Sequence, residues 1–173
     1  MEKTLASALF SMVVACGGET NDTGSATPVG GDPPSGFYAL TITTTADTCT
    51  PARVKGDRGT NLVFANAGGV NIPIPFVEGG PPRQDVVPWS GTNLTDFLGC
   101  TGSNVDISVT HKSSDSFDVD LTERWEGVSA CTGKSPELGV PSSECTATRR
   151  FEFTLVKACP ATLGGVSCRR DPP

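Results

Sequence analysis

Histidine is almost missing from this chain: His111 is the only one in 173 residues. That leaves one imidazole for acid–base work and too few nitrogen ligands for a typical zinc site. No Cys-x-x-Cys pair occurs, which removes the basic part of a thioredoxin-like redox site. No Gly-x-Ser-x-Gly elbow is present for a hydrolase of that type. Positive charge is also scarce, with 13 Lys and Arg against 19 Asp and Glu, a net charge of -6. This balance argues against a nucleic-acid partner, and an acidic surface does not by itself bind anionic headgroups. Aromatic residues make up only 6%, with a single tyrosine. Beyond residue 16 no long segment repeats apolar residues at i, i+3, i+4 and i+7, so a helical bundle is not expected. Glycine and proline, by contrast, are plentiful at 20 and 14, alongside many threonines and serines. Such a composition suits a β-rich domain with many turns.

The longest apolar segment, residues 5–15, is eleven residues long. A membrane-spanning helix needs roughly 20, so the length fits the core of a signal peptide instead. The segment ends in Val13-Val14-Ala15-Cys16-Gly17. This pattern resembles the lipobox of bacterial lipoproteins, in which the cysteine is acylated and becomes the mature N-terminus. One departure is the weak positive start, where Lys3 is offset by Glu2. An ordinary secretory signal cut after Ala15 and a buried N-terminal helix are the competing readings; the Gly-rich stretch that follows gives a helix nothing to pack on. The resemblance implies an acyl anchor at Cys16. Since Gly17 is not the aspartate associated with inner-membrane retention, it also implies the outer membrane of a double-membraned bacterium. One acyl chain holds a protein only weakly, and a lipoprotein cysteine carries two or three.

Cysteine parity agrees with this reading. Seven cysteines are present, at 16, 49, 100, 131, 145, 159 and 168. Assigning Cys16 to lipid leaves six, an even set that reads as a disulfide framework in an exported domain. Proximity in sequence suggests Cys49–Cys100, Cys131–Cys145 and Cys159–Cys168 among the fifteen possible pairings.

Residues 16–35 read as a flexible tether, Gly- and Pro-rich and without aromatics. A coil of that length spans roughly 25 Å. The β domain is expected over residues 36–158, with 159–173 as a C-terminal tail. Alternation places Tyr38, Leu40 and Ile42 on one face; Val105, Ile107 and Val109 on another; and Phe117, Val119, Leu121 and Trp125 on a third. Phe151, Phe153 and Leu155 follow in the last strand. Thr60–Asn66 is a further strand candidate, and residues 93–98 form either a strand or a helical turn. Pro73 and Pro75, two apart, suggest an edge strand or extended loop over 70–77. Residues 78–103 read mostly as turns and 127–147 as a loop. Apolar-in, polar-out alternation calls for antiparallel sheet with one wet face. The short link 112–115 makes 104–111 and 116–125 a hairpin, and Arg150 falls across from Asp118 or Asp120. The fold class is therefore all-β, an antiparallel small barrel or a β-sandwich, stabilised by disulfides. The Gly-x-Tyr opening, the sequential short strands and a last strand able to pair with the first resemble lipocalin-like small barrels.

Candidate chemistry is sparse. Cys131-Thr-Gly-Lys-Ser135 looks like the end of a phosphate loop, but the required earlier glycine is Val128 and Pro136 follows at once. It reads as a surface turn. His111 sits at a strand end on the polar side. Asp106, Asp115, Asp118 and Asp120 cluster in one hairpin, as Ca²⁺ ligands or, more simply, as a wet sheet face. Glu123 interrupts an inward face, where it becomes an acid or base only if desolvated; a bulge, or Arg124 and Arg149 nearby, would explain it otherwise. Trp89 is either an exposed stacking platform or a turn residue folded over the core. No catalytic, cofactor or metal residues are assigned and no cofactor is expected. The expectation is a lipid-anchored, non-enzymatic binding or structural module, with the membrane and a protein or small apolar ligand as partners. The rivals are a lipocalin-like carrier of an apolar ligand and a hydrolase using His111 or buried carboxylates.

Overall fold

Strand alternation dominates the computed structural model, which describes residues 31–96, 103–131, 139–162, 165–166 and 168. Eight strands form one antiparallel sheet: β1 (Gly36–Asp47), β2 (Gly56–Asn66), β3 (Gly69–Ile74), β4 (Arg83–Pro88), β5 (Asn93–Asp96), β6 (Asn104–Lys112), β7 (Ser116–Trp125) and β8 (Cys145–Ala158). The hydrogen-bonded order is β4-β3-β2-β1-β8-β7-β6-β5. Each strand thus lies beside its sequence neighbour, except that β8 returns to β1 and the sheet opens between β4 and β5. The sheet curls until β4 approaches β5 and β6. Across this seam the Asn93 side-chain amide donates to the Val86 carbonyl (2.8 Å) and to Asp85 Oδ1 (3.3 Å). The result is a nearly closed barrel rather than a sandwich. A short hairpin, β9 (Ala161–Thr162) with β10 (Gly165–Val166), follows the barrel.

The inward faces are those expected from the alternation. Tyr38, Leu40, Ile42, Val105, Ile107, Phe117, Val119, Leu121, Trp125, Phe151 and Phe153 are all buried in one cluster, joined by Val63, Val70, Ile72, Ile74 and Val87. At one end Phe117 stacks on Phe153 (4.6 Å between centroids) and meets Tyr38 and Trp89 edge-on. Contacts of this kind add about 0.5–1.5 kcal/mol each beyond burial.

Three elements differ from the sequence expectation. Strand β4 lies in the stretch read as turns, because its polar residues line the seam and blur the apolar pattern. Strand β3 is not an edge. It pairs with β2 only through residues 69–71, and Pro73, opposite Gln84 of β4, lies beyond that ladder, so its missing N–H costs no bond to β2. Strand β8 begins at Cys145, inside the expected loop.

The folded unit also starts before Gly36. The Ser35 hydroxyl both donates to the Ala65 carbonyl and accepts its N–H (3.0 and 2.8 Å). The Tyr38 hydroxyl donates to the Pro34 carbonyl at 2.6 Å, and Asp32 pairs with Lys112. Burial, and secondarily the Asp115 carboxylate, pushes the Tyr38 phenol well above its ordinary value of 10.0. The sign follows directly. Below about pH 10 folded and unfolded chains both hold the proton, and above it only the folded chain does. Stability should then fall by up to about 1.4 kcal/mol per pH unit. Because Tyr38 is the only tyrosine, phenolate absorbance should appear together with alkaline unfolding, and Tyr38→Phe should abolish this contribution to the pH slope. Phenolate absorbance rising near pH 10 in the folded protein would refute the assignment.

The disulfides correct two of the expected pairings. Cys49 is bonded to Cys145, not to Cys100, and Cys145 is therefore not bonded to Cys131. The register explains why. Asp47 lies opposite Ala147, and the Thr48 N–H donates to the Thr146 carbonyl at 2.9 Å. One further step along each strand brings Cys49 against Cys145, with Cα atoms 5.0 Å apart. Cys159 is bonded to Cys168, as proximity suggested. Cys131 is disulfide-bonded as well; Cys16 and Cys100 lie outside the described residues.

Candidate functional site

The most concentrated chemistry lies inside the barrel, at the end where β1, β3 and β7 finish and β8 begins. Period-two alternation puts Glu123 on the same face as Leu121 and Trp125, and Arg149 on the same face as Phe151. Both are 0% exposed. The Arg149 Nη2–H donates to Glu123 Oε1 at 2.6 Å, and its Nη1–H donates to the Pro75 carbonyl at 2.6 Å. The other carboxylate oxygen, Oε2, accepts the Trp125 indole N–H at 3.0 Å. It also faces Arg53 Nε at 2.9 Å, an ion pair whose N–H is not aligned for a hydrogen bond.

Arg53 comes from the loop between β1 and β2. Asp47 shapes that loop by accepting the backbone N–H groups of Cys49 (2.9 Å) and Arg53 (2.7 Å). The Arg53 Nη1–H then reaches the Gly139 carbonyl at 2.8 Å. Gly139 has φ +88°, and a Cβ there would stand 2.4 Å from Cβ of Phe76. Only glycine meets both demands. Several guanidinium N–H groups, among them Arg53 Nη2 and Arg149 Nε, have no oxygen acceptor. They are surrounded instead by aromatic faces: Arg53 lies over Trp125 (5.4 Å) and Phe76 (5.9 Å), and Arg149 over Phe76 and Phe151 (5.2 Å each). Ring quadrupoles attract these cations in place of water.

Desolvation is the main influence on Arg149 and holds its guanidinium below the ordinary value; Glu123 opposes the shift and Arg53 adds to it. Chemically the cluster is a clasp. Both oxygens of Glu123 are engaged, and its side chain is 0% exposed. The clasp ties β7 and β8 to three loops, through Arg53, Pro75 and Gly139.

The remaining candidates do not converge on it. His111 is exposed at a bulge in β6 and lies opposite Asp118. Asp120 receives a two-pronged pair from Arg150 (2.8 and 3.0 Å) on the outer face. Asp118 lies beside Glu152, Asp106 beside Thr122, and Asp115 accepts the Ser113 hydroxyl in the β6–β7 turn. Among the described residues no group of three or more His, Cys, Asp or Glu could hold a metal ion. Trp89 folds over the core, 9% exposed, and its indole N–H donates to the Asn66 carbonyl at 2.6 Å. Of the Cys131–Ser135 segment, residues 132–135 lie outside the described residues, as does the expected lipid site Cys16. Among the described residues no helix is long and apolar enough to cross a membrane.

Alternation set Glu123 on an inward face with a bulge, or Arg124 and Arg149 nearby, as its explanation; the structure has no register shift at Glu123 and pairs it with Arg149. Arg53 carries no such signal, because a loop position has no face until the loop is folded. No family model, curated protein or solved structure matches the chain.

Proposed function

We propose that this chain is an acyl-anchored lipoprotein of the bacterial cell envelope, a non-enzymatic binding or structural module on a short tether. The observation that supports the module reading most is the barrel interior. Its inward side chains form one buried cluster, and its ionisable groups are engaged with one another. The resemblance of residues 5–17 to a lipobox supports the anchor, and an even number of cysteines besides Cys16 agrees with it. The eight-stranded meander is also the architecture of small ligand-carrying barrels, so the carrier is the rival to be tested.

Intact mass of the protein taken from its own membranes, under native and denaturing conditions, separates these readings. The expected mass is that of residues 16–173 plus acyl groups, less the hydrogens of three disulfides. A small molecule lost between the native and denaturing spectra would replace the packed module with a carrier. An unmodified chain with a free thiol would remove the lipid anchor.

A further inference from the structure

The chain enters the barrel at the end opposite the clasp, where β1 and β7 begin and β2, β4, β6 and β8 finish. Residues 32–35 are fastened across that end as a strap. Asp32 pairs with Lys112, whose Nζ lies 5.2 Å from the centre of the Trp89 ring. The Pro34 carbonyl accepts the Tyr38 hydroxyl, the Ser35 hydroxyl is bonded to both backbone groups of Ala65, and the Ser35 carbonyl accepts the Cys159 N–H at 2.9 Å. Pro33 and Ser35 are buried. The strap is thus part of the fold, and the chain leading back toward residue 16 leaves the barrel here. Exposed apolar side chains gather at the same end. Phe64, Val86 and Val156 each stand two residues before the last residue of their strands, β2, β4 and β8. Half-buried Phe37 and Leu62 lie opposite each other between them, and Asn71 of β3 separates Phe64 from Val86. The strands β4, β3, β2, β1 and β8 are consecutive in the sheet, so these side chains make one band. Across residues 36–41, 60–66, 69–71, 86–88 and 155–158 of those strands the one charged side chain is Lys157. The nearest carboxylates lie off the band: Asp32 is held by Lys112, Asp115 sits in the β6–β7 turn, and Asp85 is bonded to Asn93 at the seam. Asp57 stands at the other end of β2. Leu94, the fourth large apolar side chain exposed among the described residues, is remote from the band: it pairs with Asp106, six residues short of the end of β6.

We propose that this band rests on a lipid surface, so that the barrel stands on the membrane by its strap end and holds the clasp end away from it. The inference rests on the acyl anchor proposed above. Cys16 lies 16 residues before Asp32, and a flexible stretch of that length spans roughly 22 Å. An anchor there keeps the strap end nearest the lipid, because the strap fixes where the chain departs. An apolar face at such a surface settles about 5–10 Å into the boundary between headgroups and acyl chains. Phe64, Val86 and Val156 are placed to enter that boundary. Lys157, beside Phe37 in the register, can lay its apolar stem along the band and set its ammonium group among the phosphates. The net charge of -6 would oppose the approach of a carboxylate-rich face to anionic headgroups; this band is where that charge is locally absent. Its contribution adds to the acyl chains and sets the orientation of the domain, leaving the loops tied by the clasp turned toward whatever the module meets.

Carbene labelling from within the bilayer tests this. The protein purified from its own membranes is placed on phosphatidylcholine vesicles containing a lipid with a diazirine on its acyl chain. The vesicles are irradiated and floated, and adducts are located residue by residue by tandem mass spectrometry. Leu94 is the internal control, since at 68% it is the most exposed of the four apolar side chains. The expected result is about tenfold more adduct at Phe64, Val86 and Val156 than at Leu94. Phe64→Gln with Val156→Gln, verified as folded by circular dichroism, should lower labelling at Val86 about fivefold while the protein still floats. A floated protein with no adducts at the three positions, or with equal labelling at Leu94, would overturn the orientation and leave the anchor standing. A chain that carries no acyl group and does not float would remove the anchor, and the proposal with it.

Discussion

Glu123→Gln should lower stability by about 3–5 kcal/mol, the loss expected when one partner of a buried ionic group is removed. Glutamine keeps the shape and can still accept the Trp125 indole N–H. It leaves Arg53 and Arg149, both with side chains 0% exposed, as like charges in a dry site. Asp47 offsets only part of this: its negative charge already acts on Arg149 through space, and its carboxylate oxygens are held by the N–H groups of Cys49 and Arg53. Urea unfolding followed by tryptophan fluorescence should show a lower midpoint with an unchanged slope, the signature of lost stability and not of a changed unfolded state. Added salt should alter the difference little, since buried pairs are poorly screened. Replacing all three together, with Glu123→Leu, Arg53→Leu and Arg149→Met, should cost no more than Glu123→Gln alone, because the clasp then holds no charge to be desolvated and the loss left is that of the partners of the Trp125 indole N–H and the Pro75 and Gly139 carbonyls. A loss below about 1 kcal/mol for Glu123→Gln would mean that water reaches the guanidinium groups, and the clasp would no longer be a dry one.

Removing the Cys49–Cys145 bridge should have a comparable effect. It links residues 96 apart, and closing so long a loop restricts the unfolded chain by about 4.7 kcal/mol in the chain-entropy model; measured losses commonly fall between about 2 and 5. The double substitution Cys49→Ala with Cys145→Ala should therefore lower the melting temperature by roughly 10 °C or more. The bridge also secures the start of the loop that carries Arg53, so the clasp should loosen with it. The Cys159–Cys168 bridge closes a separation of only 9 residues beyond β8. Cys159→Ser with Cys168→Ser should leave the barrel transition nearly unchanged. Non-reducing peptide mapping checks the premise: a fragment joining residues 49 and 145 is required, and one joining 131 and 145 would contradict the β1–β8 register itself.

The parts of the clasp differ in how legible they are in the sequence. Glu123 and Arg149 stand at alternate positions beside Trp125 and Phe151, so a period of two assigns them to the interior from local pattern alone. Their pairing is a diagonal contact between β7 and β8, where Leu121 faces Arg149 and Glu123 faces Ala147. Sequence alternation says which face a residue takes and nothing about which strand lies beside it. The same distinction explains the cysteines. Proximity along the chain pairs Cys159 with Cys168 correctly because only a short hairpin intervenes. It fails for Cys49 and Cys145 because β8 pairs with β1, bringing distant residues within 5.0 Å at Cα.

What the sequence determined by itself is local: the β character, the inward faces of β1, β6, β7 and β8, the β6–β7 hairpin, and the opposition of Arg150 to the acidic residues of β7. Each follows from alternation, turn composition or a short connection. Only the tertiary structure decided the closure of the sheet into a barrel, the inner position of β3, the Cys49–Cys145 bridge and the entry of Arg53 into the core. These depend on register between segments far apart in the chain. Register is set by how all eight strands bury their apolar faces together, and no single segment contains that information.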